Sequence, residues 1–220
     1  MTRPFMSVML LAVLVTSPFV NASYPEPSVY PTGWQLDFQS KLPQRISVRV
    51  PGQDVPQAFW YMTYTVTNNG GEEQTFLPFF EMLTEDGQVL RSDNNISHVV
   101  FDAIKGREKN TFLEPANKVS GRILIGEENA KEGVAIWREP SAELGRFSIF
   151  VGNLSGENVI LQKQGDEYVK VAKGEELLGK DIKDLLVLRK TLQLNFFIRG
   201  DEVYPGEDEV NEDAQVWVMR

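Results

Sequence analysis

The sequence predicts an all-β fold, a layered sandwich or barrel with at most one or two short helices. Three observations predict it. β-branched and aromatic residues alternate at period two in many short runs. Polar or Gly/Pro-containing turn signals separate those runs at short intervals. Helical periodicity is scarce; its best instance is a weak apolar stripe of Val99, Val100, Ala103 and Ile104 within 95–105.

Residues 1–22 read as a secretory signal peptide. Arg3 is the one early positive charge, an apolar run extends from Met6 to Val15, and Val20-Asn21-Ala22 places a cleavage site after Ala22. Thr16, Ser17 and Pro18 interrupt that run, which falls short of the ~20 apolar residues that span a bilayer. Residues 23–43 read as an extended arm, Pro-rich in "YPEPSVYPTG". Residues 44–220 read as the sandwich, with 157–220 as extra strands on it, or a small second module. Asn153–Glu157 is too short for a flexible linker, which favours the extra strands.

The strand runs come in this order. Ile46, Val48 and Val50 alternate before Pro51-Gly52. In "FWYMTYTVT", 59–67, Trp60, Met62, Tyr64 and Val66 share one face; Tyr61, Thr63, Thr65 and Thr67 share the other. "NNGG" then predicts a hairpin reversal at positive-φ residues into "QTFLPFFEMLT", and "EDGQ" predicts the next turn. "GRILIG" and "GVAIW" are short apolar strands, and "RFSIFVGNL" alternates Phe147, Ile149 and Val151. "NVILQKQGDEYVKVA" predicts a hairpin turning at Gln164-Gly165-Asp166. "LVLRKTLQLNFFIRG" brings Leu192, Leu194, Phe196 and Ile198 into register, and "AQVWVMR" is a further strand. A short helical turn is expected near Glu175–Leu178.

A secreted sandwich whose strand ends "TYTVTNNGGEEQTF" resembles the extracytoplasmic immunoglobulin-like domains of bacteria, in which a strand ending V-x-N-x-G leads into the next strand of a hairpin. The resemblance covers roughly residues 44–156 and rests on Val66, Asn68 and Gly70. "VAIWREPSAELGRFSIFVGNLSGE", 134–157, is similar to a segment of uncharacterised secreted bacterial proteins. The resemblance implies an immunoglobulin-like β-sandwich with additional C-terminal strands. It implies no activity, since fold alone assigns none.

Composition narrows the function classes. The chain has no cysteine and a formal charge of −9, which becomes −10 when Arg3 leaves with the leader. Disulfides and a lipid-modified cysteine are therefore excluded. The acidic balance argues against nucleic acids and anionic membranes as partners. With ~200 mature residues burying around 70% of their unfolded surface, a core without staples suffices. The expectation is a secreted or periplasmic product with no stable membrane insertion after cleavage, and an unknown protein or glycan as partner.

Catalytic chemistry is sparse. His98 is the sole histidine, so a nucleophilic triad has one possible base and zinc lacks a ligand set. No G-x-S-x-G elbow, P-loop or dinucleotide fingerprint occurs. No catalytic residue, cofactor or metal is assigned. Carboxylate pairs carry little information among 31 acidic residues; Glu81, in "PFFEML", is expected to point outwards if Phe80 and Met82 point in. The segment 200–213 holds seven carboxylates without a calcium-loop ligand order, and reads as a solvated loop. Exposed aromatics are the remaining candidate surface. Tyr61, Phe79, Phe80 and Phe197 are the candidate residues, for a sugar platform or a partner-binding edge, against the alternative that strands or a helix cover them. A non-enzymatic binding or structural module is the expected function. A carbohydrate-binding module using aromatics is the alternative, and a carboxylate-dependent hydrolase comes third.

Overall fold

The computed structural model describes residues 24–141, 144–171, 181–198 and 209–220. The leader expected at 1–22, the helical turn expected at 175–178 and most of the acidic segment lie outside the described residues.

Fourteen strands and two α-helices are seen among the described residues. In chain order they are β1 (Asp37–Ser40), β2 (Gln44–Val48), β3 (Gln57–Thr67), β4 (Gln74–Phe76), β5 (Phe79–Thr84), β6 (Val89–Arg91), α1 (His98–Glu108), β7 (Glu114–Pro115), α2 (Ala116–Val119), β8 (Gly121–Ile123), β9 (Lys131–Arg138), β10 (Arg146–Gly152), β11 (Asn158–Gln164), β12 (Glu167–Lys170), β13 (Leu185–Ile198) and β14 (Val210–Met219). The fold is an all-β sandwich. Its first sheet runs β1-β3-β9-β7, with β2 sharing the β1 edge of β3. Its second runs β12-β11-β13-β10-β5-β6, with β14 beside β13, and β4 and β8 form a separate ribbon.

The main core lies between the sheets, where period-two alternation aims one face of every strand inwards. Trp60, Met62, Tyr64 and Val66 of β3 meet Phe80 and Met82 of β5, Phe147 and Ile149 of β10, and Leu192, Leu194 and Phe196 of β13. The Tyr64 ring lies 4.8 Å from the Phe80 ring, and its neighbour across the pairing is Gly133 of β9. A Cβ at Gly133 would sit 2.4 Å from Tyr64 Cζ, so only glycine leaves room for this ring.

The opposite face of β3 is also buried. Phe59 and Tyr61, with Val134 and Ile136 of β9, receive Val100 and Ile104 of α1. This core explains why a helix forms on so weak a stripe: the sheet, not intrinsic propensity, stabilises it. The helix begins three residues later than the stripe suggested and runs through Gly106 to a left-handed cap at Lys109, φ 51°.

The predicted hairpin at 68–71 is corrected. None of Asn68, Asn69, Gly70 or Gly71 has positive φ, and β3 pairs with β1, β2 and β9 rather than with β4, the next strand along the chain. Asn68 decides this. It is 1% exposed, its amide donates to Glu72 O at 2.9 Å and Ile123 O at 3.1 Å, and its Oδ1 accepts from Gly70 N–H at 3.0 Å. Those bonds turn the chain towards the β4–β8 ribbon. The two other turns hold: Gly87, at φ 86°, lies between β5 and β6, and Gly165, at φ 67°, lies between β11 and β12.

The described strands of 157–220, β11 to β14, build into the second sheet. On one side Arg189 of β13 faces Asn158 of β11; on the other it exchanges backbone hydrogen bonds with Arg220 at 2.7 and 3.0 Å. Thus β10 and β11 succeed one another along one edge of β13, and β14 covers the other. The arm is tied down as well. Residues 37–40 pair with β3, Trp34 O accepts from Gly156 N–H at 3.0 Å, and the Ser28 N–H donates to Glu157 at 2.8 Å.

Candidate functional site

Both helices lie by the first sheet, α1 on its outer face and α2 beside β7 and β9. Tyr61, under α1, and Phe80, between the sheets, are not surface residues, which corrects two of the four expected positions. Tyr61 is 1% exposed beneath α1 and Phe80 is 0% exposed in the main core. The Tyr61 hydroxyl donates to Glu108 at 2.8 Å. Burial and the acceptor Glu108 push its pKa well above the usual phenol value. Tyr61 does lie opposite the Trp60 face, as alternation predicts. Alternation is silent on the second point, that both faces of β3 are covered.

Phe79 and Phe197 do lie on a partly open face, the outer face of the second sheet. Registers arrange that face in rows. Arg91, Glu81, Phe150, Gln193 and Val216 are successive neighbours across β6, β5, β10, β13 and β14, and Val89, Leu83, Ser148, Asn195 and Ala214 form the next row. Aromatic rings here carry cations on top. The Arg91 guanidinium lies 4.1 Å from the Phe79 ring centroid and Arg220 lies 4.1 Å from that of Phe150. Arg146 lies 5.8 Å from that of Phe197. A guanidinium over a ring keeps its N–H donors for a carboxylate or phosphate; here Arg220 pairs with Glu81 and Arg146 with Asp213. Glu81 points outwards, as expected, and pairs with Arg220 at 2.6 Å.

Hydrogen bonds join polar side chains of the two rows. Ser148 Oγ and Gln193 Nε2 both donate to Asn195 Oδ1, each at 2.7 Å. That leaves the Asn195 amide hydrogens and the Gln193 carbonyl facing outwards with further bonding capacity.

At one end of the face β10 stops at Gly152 and the chain leaves through Asn153, φ 62°. A cleft of about 280 Å³ opens there between β5 and β13. Phe79, Glu81, Val187, Arg189, Thr191 and Arg220 line it. Phe79 lies against Gly152, where a Cβ would come within 3.2 Å of its ring. Sequence reasoning missed these arginines. The available signal is position: Arg189 and Thr191 have the outward parity of Phe197 on the strand that carries Leu192, Leu194 and Phe196 inwards.

A second polar cavity, of about 230 Å³, lies where the end of α1 meets the first sheet, and Glu108 and Glu132 both line it. Burial pushes the Glu108 carboxyl up, but bonds from Lys41 and Tyr61 and the Lys41 and Arg107 charges outweigh it, holding the group below the usual range. Glu132 accepts from the Asn110 amide. A third cavity, of about 350 Å³, holds Asp93, Ser97 and His98 near the start of α1. Burial raises Asp93 to about 6, against weaker lowering by Ser92 and the Ile136 backbone. His98 is exposed there. No group of three or more His, Cys, Asp or Glu residues suited to a metal occurs among the described residues, and no helix among them is long and apolar enough to cross a membrane.

Compared with protein-family models, curated proteins and solved structures, the chain matches none.

Proposed function

We propose that the protein is a non-enzymatic, extracytoplasmic binding module built on an immunoglobulin-like type of sandwich, and that it holds its partner on the outer face of the second sheet. One observation carries this reading. While α1 roofs the other sheet, this face presents Phe79, guanidiniums over aromatic rings and the linked Ser148, Gln193 and Asn195 side chains. Apolar rings with a few convergent polar groups are what ligand sites are made of. The leader layout and the absence of cysteine support the compartment. Glu108, already an ion-paired acceptor, does not suit the acid role of glycoside hydrolysis, because a carboxyl held low is a poor proton donor.

A glycan is the favoured partner, because the linked Ser148, Gln193 and Asn195 side chains suit hydroxyl groups and the edge of Phe79 suits an apolar C–H contact with a sugar ring. The test is a glycan array probed with the mature protein and with Phe79→Ala and Asn195→Ala variants of unchanged melting temperature. Glycan binding that both variants weaken supports the reading. Binding untouched by either, or no glycan bound at all, overturns it. N-terminal sequencing of the exported protein tests the compartment: a start at Ser23 is expected, and an intact Met1 refutes it.

A further inference from the structure

We infer that the cleft at the β10 end of this face receives the carboxylate of an acidic, uronate-type sugar. The inference rests on the glycan reading above and deepens it by naming the ligand's charge.

An electrostatic imbalance points to this ligand. Arg189 and Arg220 sit directly opposite each other on β13 and the end of β14, tied by backbone bonds of 2.7 and 3.0 Å. Like charges placed opposite across a strand pair repel. Both line the same cleft, and Arg91 stacks on Phe79 at its edge. Arg189 and Arg220 thus share the cleft with a single side-chain carboxylate, Glu81, and Arg91 sits at its edge, in a chain whose formal charge is −9. Glu81 bonds Arg220 at 2.6 Å. The Arg189 side chain has no ion pair or hydrogen bond among the described residues. A carboxylate entering the cleft would satisfy Arg189 and share Arg220 with Glu81, removing the repulsion.

The shape favours a sugar over an acidic peptide. About 280 Å³ is room for one ring. Phe79 and Val187 offer apolar edges beside the cations, Thr191 also lines the cleft, and the Gln193 and Asn195 amides and the Ser148 hydroxyl continue along the face towards neighbouring hydroxyls. A uronate presents that sequence of groups: an apolar C–H face, hydroxyls and one carboxylate. Glu81 has a second role in this arrangement. It is ion-paired with Arg220 before the ligand arrives and competes with it.

The experiment is calorimetric titration with oligogalacturonate, with neutral oligogalactose of matched length and with polyglutamate. Arg189→Gln, Arg189→Lys and Glu81→Gln are compared, with thermal melts as the fold control. Oligogalacturonate is expected to bind and to weaken with added salt, with neutral oligogalactose markedly weaker. Arg189→Gln should cost roughly tenfold or more in affinity, the worth of a charge-assisted bidentate contact, and Arg189→Lys should recover only part of it. Glu81→Gln should act in the opposite direction and tighten binding, which a merely structural ion pair would not do. Equal binding of acidic and neutral oligomers, unaffected by the Arg189 variants, overturns this inference while leaving the glycan reading intact. Polyglutamate bound as tightly as the uronate refutes the sugar assignment, and absence of binding to every glycan refutes both.

Discussion

Replacing Glu157 by Gln removes the counter-charge of a lysine that the fold has sealed in. The Lys190 and Glu157 side chains are 2% and 7% exposed, with Nζ 3.3 Å from Oε2. Lys190 Nζ also donates to Ser28 O at 3.0 Å and lies 5.1 Å from the Trp217 ring centroid. Glu157 Oε1 accepts from the Ser28 N–H at 2.8 Å, whereas Oε2 faces the ammonium without hydrogen-bond geometry. The amide of Gln keeps the shape and the Ser28 acceptor but leaves the ammonium buried and uncompensated. Breaking a buried pair this way costs ~3–5 kcal/mol. The retained Ser28 and Trp217 contacts set the expectation at the low end, about 3 kcal/mol. For a chain of this size that is a fall of roughly 6–12 °C in Tm. Urea and thermal melts of Glu157→Gln, Lys190→Met and the double variant measure it. The double variant should recover most of the loss, because Met fills the site without a charge. The pH dependence supplies a second readout. Burial pushes the Glu157 carboxyl up, but the Ser28 bonds and Lys190 outweigh it, so its folded pKa lies below the ordinary 4.5. A depressed carboxylate contributes stability that is full above its unfolded pKa and is lost as pH falls through the folded value. Wild type should show that acid loss and Glu157→Gln should lack it. A single variant within about 1 kcal/mol of wild type, or identical acid melts, would refute the reasoning.

Three further outcomes are expected. Trp60→Ala should cost ~3–5 kcal/mol in denaturant melts, because Trp60 is 2% exposed in the main core; a loss below about 1 kcal/mol would contradict that burial. Gly133→Ala should cost ~1–3 kcal/mol, since the new methyl meets the Tyr64 ring at 2.4 Å, and should be partly relieved in a Tyr64→Ala background. Asp93→Asn should stabilise the protein near neutrality. Burial raises the Asp93 pKa from 3.8 to about 6, so its contribution is favourable only while it is protonated and is lost as pH rises through that value. A gain of up to about 2–3 kcal/mol at ~pH 8 that vanishes at ~pH 3 is expected, and equal melts of the two proteins at both pH values would exclude it.

Much of the sandwich is legible in the sequence because β-structure writes its inward face at period two. Trp60, Met62, Tyr64 and Val66, and Leu192, Leu194 and Phe196, announce their common faces and share one core. Lys190 has the same parity, and so is marked as buried, but its counter-ion is not. Glu157 lies 33 residues away in sequence and meets it only because β10 and β11 share one edge of β13. Local signals fail where a distant partner decides the outcome. "NNGG" is hairpin chemistry in isolation, yet Asn68 bonded to Ile123 sends the chain to another ribbon. Tyr61 alternates as an outward residue should, yet α1 covers it. The candidate cleft divides the same way. The outward direction of Phe79, Glu81 and Phe197 comes from alternation alone. The gathering of Arg91, Arg189 and Arg220 around Phe79 and Glu81 does not, because it requires the pairing order β6-β5-β10-β13-β14, and strand order is set by which faces and edges satisfy one another across the whole sheet.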